Sequence, residues 1–222
     1  MTVVSQQNAL PGSFDALHTQ QLFVSDNSFG IPCVPHAPLI YTPERFIAYR
    51  TRVRDKQGTH GAALHFFLDD YRFETVWSRP LKARQSLETY RTLLSPDFSL
   101  YANWPLAVQQ WNVYRSRWCA QLWSCWGFQV IPTISWSTTA SFAFCFAGIA
   151  RHSLVAISTV GVRAADRVLF ETGYREMLVR IQPSRVLCYG SSTKLGTLVE
   201  LADIRFYRAG WPGLPPVTET AE

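Results

Sequence analysis

Lysine is scarce in this chain: Lys56, Lys82 and Lys194 stand against 18 arginines among 222 residues. Charge as a whole is thin, at 17% Asp, Glu, Lys and Arg where soluble domains usually carry about 25%. Apolar runs stop well short of the ~18–20 residues a membrane span needs. The opening stretch MTVVSQQNALPGSF lacks the charged-then-apolar order of a signal peptide, so a cytoplasmic protein with no membrane partner is expected. The cysteines, Cys33, Cys119, Cys125, Cys145 and Cys188, are odd in number and form no CxxC pair. Buried free thiols in a reducing compartment account for them better than disulfides or zinc. Dinucleotide, P-loop and nucleophile-elbow signatures are missing. The cofactor is left open: a divalent metal on paired carboxylates is chemically reasonable but has no motif behind it.

What is present suits a packed domain. Hydrophobic residues make up 47%, enough for a sizeable core. The net charge of +5 rests almost wholly on arginine, whose guanidinium grips phosphate bidentately and stacks on bases. That bias suits a nucleotide or nucleic-acid partner, although GC-rich coding produces the same bias. Three regions are expected: an N-terminal arm or strap over 1–28, one α/β domain over 29–209, and an irregular Pro-rich tail over 210–222.

Within the domain, short runs rich in Val, Ile, Phe and Leu read as strands buried on both faces. They lie at Pro38–Tyr41, Ala62–Leu68, Leu93–Phe98, Phe128–Trp136, Leu154–Val160 and Arg185–Tyr189. Helical stretches separate them. Thr42-Pro43-Glu44 reads as an N-cap, a first-turn proline and a first-turn acid opening a helix to about Arg54. The others span roughly Pro80–Arg91, Trp104–Trp126, Thr138–Phe146 and Ala164–Ile181. Five strand–helix pairs and a sixth strand predict an α/β fold with a mostly parallel sheet and outer helices. The sheet is either TIM-barrel-like, incomplete or irregular, or doubly wound. In the longest helix Val108, Trp111, Tyr114, Trp118, Leu122, Cys125 and Trp126 share one face, which should pack on the sheet. Arg115 lies on that face and must be paired or reach its edge, whereas Arg117 points away.

Parallel α/β architecture places ligand sites at the carboxyl ends of strands, and these ends are polar. Asp69, Asp70 and Asp97 are the candidate catalytic groups, since acids on adjacent strand ends can share acid–base or nucleophilic work. Asp97 is the strongest, an acid between Pro96 and Phe98 in an otherwise apolar stretch. Arg72, Ser99, Ser135, Trp136, Thr159 and Tyr189 are candidate substrate-binding residues. Each also has a plain structural reading: a cap or turn for the acids, core packing for Trp136, a strand–helix loop for Thr159. His65, inside an apolar strand, reads as a satisfied core histidine.

The stretches HFFLDDYRFETVW (65–77), LSPDFSLYANWPLAVQQWNVYRSRW (94–118), VIPTISWS (130–137), SLVAISTVGV (153–162) and RVLCYGS (185–191) resemble the family catalogued as domain of unknown function 4417. The resemblance covers about residues 28–192 and implies a phage, plasmid or integrative-element setting without supplying a mechanism. The leading expectation is an enzyme acting at a glycosidic or phosphoryl centre of a nucleotide or nucleic acid. The alternative is a non-catalytic DNA-binding accessory of replication or transfer using Arg45, Arg50, Arg52 and Arg54. A protein-interaction scaffold is a third reading, and the oligomeric state is open.

Overall fold

The structure, a computed structural model, describes residues 15–49, 51 and 59–209. Seven strands occur in it: β1 Arg45–Ala48, β2 Ala62–His65, β3 Thr92–Leu94, β4 Gln129–Ile131, β5 Leu154–Ser158, β6 Arg185–Tyr189 and β7 Ile204–Tyr207. All pair in parallel, in a four-stranded sheet of order β1-β2-β3-β4 and a three-stranded sheet of order β5-β6-β7. An isolated parallel bridge from Thr133 to Ala156 links the two. Among the described residues neither sheet shows the reversal of order that a doubly wound sheet requires, and no barrel closes. An irregular, incomplete barrel-like α/β arrangement is the result. Among the described residues β7 meets β1 through side chains: Phe46 stacks on Tyr207 at 3.8 Å, and the Tyr207 hydroxyl donates to the Pro43 carbonyl at 2.6 Å.

Alternation along the strands sorts the core. Ala63, Phe67, Leu94, Ile131, Ala156 and Leu187 belong to one inner cluster. Their neighbours Leu64, Leu93 and Val130 face outward toward Trp118 and Trp123, and Val155, Ile157 and Val186 toward Tyr174 and Met177. Among the described residues four α-helices supply the outer layer: α1 Thr75–Ser78, α2 Pro80–Leu87, α3 Leu106–Cys125 and α4 Arg167–Ile181.

Several expectations are corrected. Pro38–Tyr41 is no strand; Leu39–Tyr41 is a 3-10 turn, and Ile40 is 87% exposed. Thr42 caps no helix, because its hydroxyl donates back to Leu39 and closes that turn. The residues after it form β1, where Ile47 is buried and the backbone pairs residue by residue with β2. Tertiary pairing thus overrides a local helix signal. In place of a helix over Thr138–Phe146, a 3-10 turn covers Thr139–Ala143. The Ser141 hydroxyl competes there for the backbone, donating to Thr138 and accepting from the Ser137 amide. β7 was not foreseen.

The long helix is turned relative to its apolar stripe. Gln109, Asn112, Ser116 and Arg117 are buried, while Val108 and Cys125 are exposed. Trp111, Tyr114 and Trp118 instead meet Trp77 of α1. Residues 15–23 cover the same stripe: His18 stacks on Trp118 at 4.4 Å, and the Trp118 indole donates to the Gln21 carbonyl at 2.8 Å.

Candidate functional site

Proline follows closely on two strands, Pro96 after β3 and Pro132 after β4, and a proline cannot continue a buried ladder. The chain therefore leaves the sheet early and delivers its next residues to the carboxyl rim. Asp97, Ser135 and Trp136 meet there with Asp69 and Arg72 from the segment after β2. Val160, Gly161 and Val162 from beyond β5, and Phe170 from the first turn of α4, form the opposite wall. The cleft has a volume of about 630 Å³. It merges through Asp97, Ser135 and Trp136 with a neighbouring hollow of about 480 Å³ that reaches Ser99 and Arg163.

Asp97 lines both spaces of this rim. Its carboxylate accepts a hydrogen bond from the Ser135 hydroxyl. Burial, the strongest influence, pushes its pKa up to about 7. The Ser135 hydrogen bond and the nearby Arg117 charge pull it down, and the Asp70 charge adds to the rise. Such a group can both hold and release a proton near neutral pH.

The sheet-facing side of α3 props this arrangement from beneath. Arg117 is 2% exposed, and its guanidinium donates to the carbonyls of Thr133 at 2.9 Å, Cys145 at 3.0 Å and Ala147 at 3.3 Å. Burial lowers its pKa to about 10. The residue expected to point away from packing is thus the one that enters the core. Arg115, by contrast, is paired as its position demands: it donates to Glu74 at 2.9 Å and lies 3.8 Å over the Phe98 ring. A second polar chain runs from Arg115 through Asn112 to the Ser99 carbonyl, and Ser99 in turn donates to Asp70 through both its amide and its hydroxyl.

These contacts divide the candidates. Asp69, Arg72, Asp97, Ser135 and Trp136 converge in the cleft, and Ser99 lines the adjoining hollow. Asp69 also holds the Arg72 guanidinium at 2.8 Å. Asp70 is spent on Ser99 and lines neither space. Tyr189 stacks on Phe67 at 5.2 Å and lies 4.5 Å from His65, so it belongs to the inner aromatic core. Thr159 is 2% exposed and fastens two loops, accepting from the Ser191 amide at 3.0 Å and donating to the Ser191 carbonyl. His65 is buried, with its Nδ1 accepting from the Phe67 amide; burial lowers its pKa to about 3 and keeps it neutral.

Trp136 is held by a close approach. A Cβ on Gly173 of α4 would lie 2.2 Å from its indole ring, so only glycine lets the helix sit against the tryptophan, with Phe170 5.2 Å away. Tyr101, Phe170 and Val162 also line the cleft, though none is among the candidate residues named from the sequence. Tyr101 lies just past the polar β3 end and could have been found there, whereas nothing local marks Phe170.

Among the described residues, no group of three or more His, Cys, Asp or Glu side chains is arranged to hold a metal. Arg45 opens β1, at the end of the strands opposite the cleft; Arg50, Arg52 and Arg54 lie outside the described residues, as do 1–14 and the tail from 210. No helix among the described residues is long and apolar enough to cross a membrane.

Comparison with known proteins gives the setting. The chain is 43% identical over 204 residues to the Gene 1 protein of Mycobacterium phage L5, covering 90% of this chain and 88% of that one. Against the Gene 1 protein of Mycobacterium phage D29 the identity is 41% over 204 residues, covering 90% and 74%. No solved structure matches. The sequence profile of Domain of unknown function (DUF4417) matches residues 23–206, from the strap over α3 to β7. The chain therefore belongs to the DUF4417 family, and its relatives are phage proteins.

Proposed function

We propose that this phage-type protein is an enzyme acting at a glycosidic or phosphoryl centre of a nucleotide or nucleic acid. The observation that carries the reading is the Asp97 carboxyl, which lines a strand-end cleft beside the Ser135 hydroxyl with a pKa near 7. In this reading Asp97 is the general acid–base, and Ser135 orients its carboxyl. Arg72, steadied by Asp69, faces a substrate phosphate, and Trp136 offers a ring to a base. A volume of about 630 Å³ falls within the ~300–1,000 Å³ of small-molecule sites, which supports a nucleotide-sized substrate.

The test compares wild type with Asp97→Asn on nucleosides, nucleoside phosphates and a single-stranded oligonucleotide, following products by chromatography and binding by calorimetry. Loss of an acid–base group should lower turnover about 10²–10⁴-fold while binding persists. Equal turnover by the folded variant removes the role.

A further inference from the structure

A second groove opens on the same rim, beyond β5, β6 and β7, with a volume of about 1170 Å³. It shares Val160 and Gly161 with the Asp97 cleft, so the two spaces meet at one wall. Its polar side chains are hydroxyls and cations, Thr159, Ser191, Ser192, Lys194 and Arg208, with no carboxylate among the described residues that line it. That composition contrasts with several ion-paired arginines elsewhere in the fold. Arg72, Arg115, Arg167 and Arg185 each face an acid. Among the described residues Lys194 donates to the Val162 carbonyl, at 2.8 Å, and one such bond leaves further ammonium protons to give.

The floor is fastened. Gly190, at φ +129°, places its backbone where a Cβ would lie 2.2 Å from the Thr159 hydroxyl oxygen. No other residue lets the β6 loop close on the β5 loop this way. Thr159 then ties Ser191 by amide and carbonyl, and Lys194 ties the next loop through Val162. Val199 and Phe206 supply an apolar wall.

From this we infer that the groove is a phosphate-binding subsite, adjoining the Asp97 cleft and receiving the phosphate chain of the same substrate. A cation pair, two hydroxyls and a rigid backbone turn without opposing acid select for a multiply charged oxyanion. Two sources share that chemistry, the polyphosphate of a free nucleotide and the backbone of a single strand. The assignment rests on the proposed reading for its neighbour, but its test does not.

Calorimetry with sodium pyrophosphate and with a ten-nucleotide single-stranded DNA, at low and raised salt, reads the subsite directly. Wild type should bind one or both probes, more weakly as salt rises. Pyrophosphate binding points to a nucleotide polyphosphate, and binding of the strand alone points to a polynucleotide. Lys194→Gln with Arg208→Gln, both exposed positions, should weaken the bound probe tenfold or more. Ser192→Glu, which sets a like charge in the groove, should do the same. Asp97→Asn should leave probe affinity unchanged, so failure of the catalytic role and failure of this subsite are read separately. Absence of binding to either probe, or wild-type affinity in the folded double variant, overturns the inference.

Discussion

Two titratable side chains, half-buried Asp97 and buried His65, pull the pH dependence of stability in opposite directions. Asp97 holds its proton up to about pH 7 in the folded chain, against an ordinary 3.8. Between those values the unfolded chain has already released the proton, so folding loses stability as pH rises. His65 stays neutral down to about pH 3, against 6.5 unfolded; over that range folding loses stability as pH falls. The slopes oppose each other between about pH 4 and 6.5. Asp97→Asn is therefore expected to raise the melting temperature more at pH 8 than at pH 4, and to leave a stability that declines on acidification below 6.5. His65→Leu should leave the reverse slope, up to ~1.4 kcal/mol per pH unit, in urea titrations at stepped pH. Ser135→Ala removes a donor that favours the charged carboxylate. It should raise the Asp97 pKa further, which carbon-13 NMR of the carboxyl carbon would register.

At the level of elements, α4 and the β4 loop are matched through one glycine. Gly173→Ala would thrust a methyl into the Trp136 ring. The expected cost is about 1–3 kcal/mol, with a change in tryptophan fluorescence as the ring moves. Much of the element plan was legible in the sequence. β6 occupies Arg185–Tyr189 as its apolar run implies, and α3 and α4 end near their expected limits. The failures have physical causes. Thr42-Pro43-Glu44 carries helix-start chemistry, but its threonine serves the preceding turn and the following residues are claimed by β2. The orientation of α3 was hidden because its tryptophans find a surface in α1 and residues 15–23, while polar side chains reach into the sheet. The convergence of Asp69, Asp97, Ser135 and Trp136 followed from strand direction alone. That Asp70, Thr159 and Tyr189 serve packing and loop closure depends on partners 29 or more residues away, which no local pattern records.

For the molecule as a whole, β1 and β7 are held together by side chains. Tyr207→Ala would remove the stack on Phe46 and the hydrogen bond to Pro43 at once. A loss of about 3–5 kcal/mol, the usual cost of deleting a buried aromatic, is expected in urea unfolding. Tyr207→Phe, which keeps the ring, should lose about 1 kcal/mol.

The bridge between Thr133 and Ala156 has a mechanical meaning. The cleft takes Asp69, Asp97 and Ser135 from one sheet and Val160 and Phe170 from beside the other, so anything bound there spans the joint. A bound molecule would act as a splint across two plates joined by a narrow weld. Hydrogen exchange at the Ile134 and Ala156 amides, which bond across that joint to Ala156 and Pro132, should slow when the cleft fills, while strand centres such as Leu93 hold their rate.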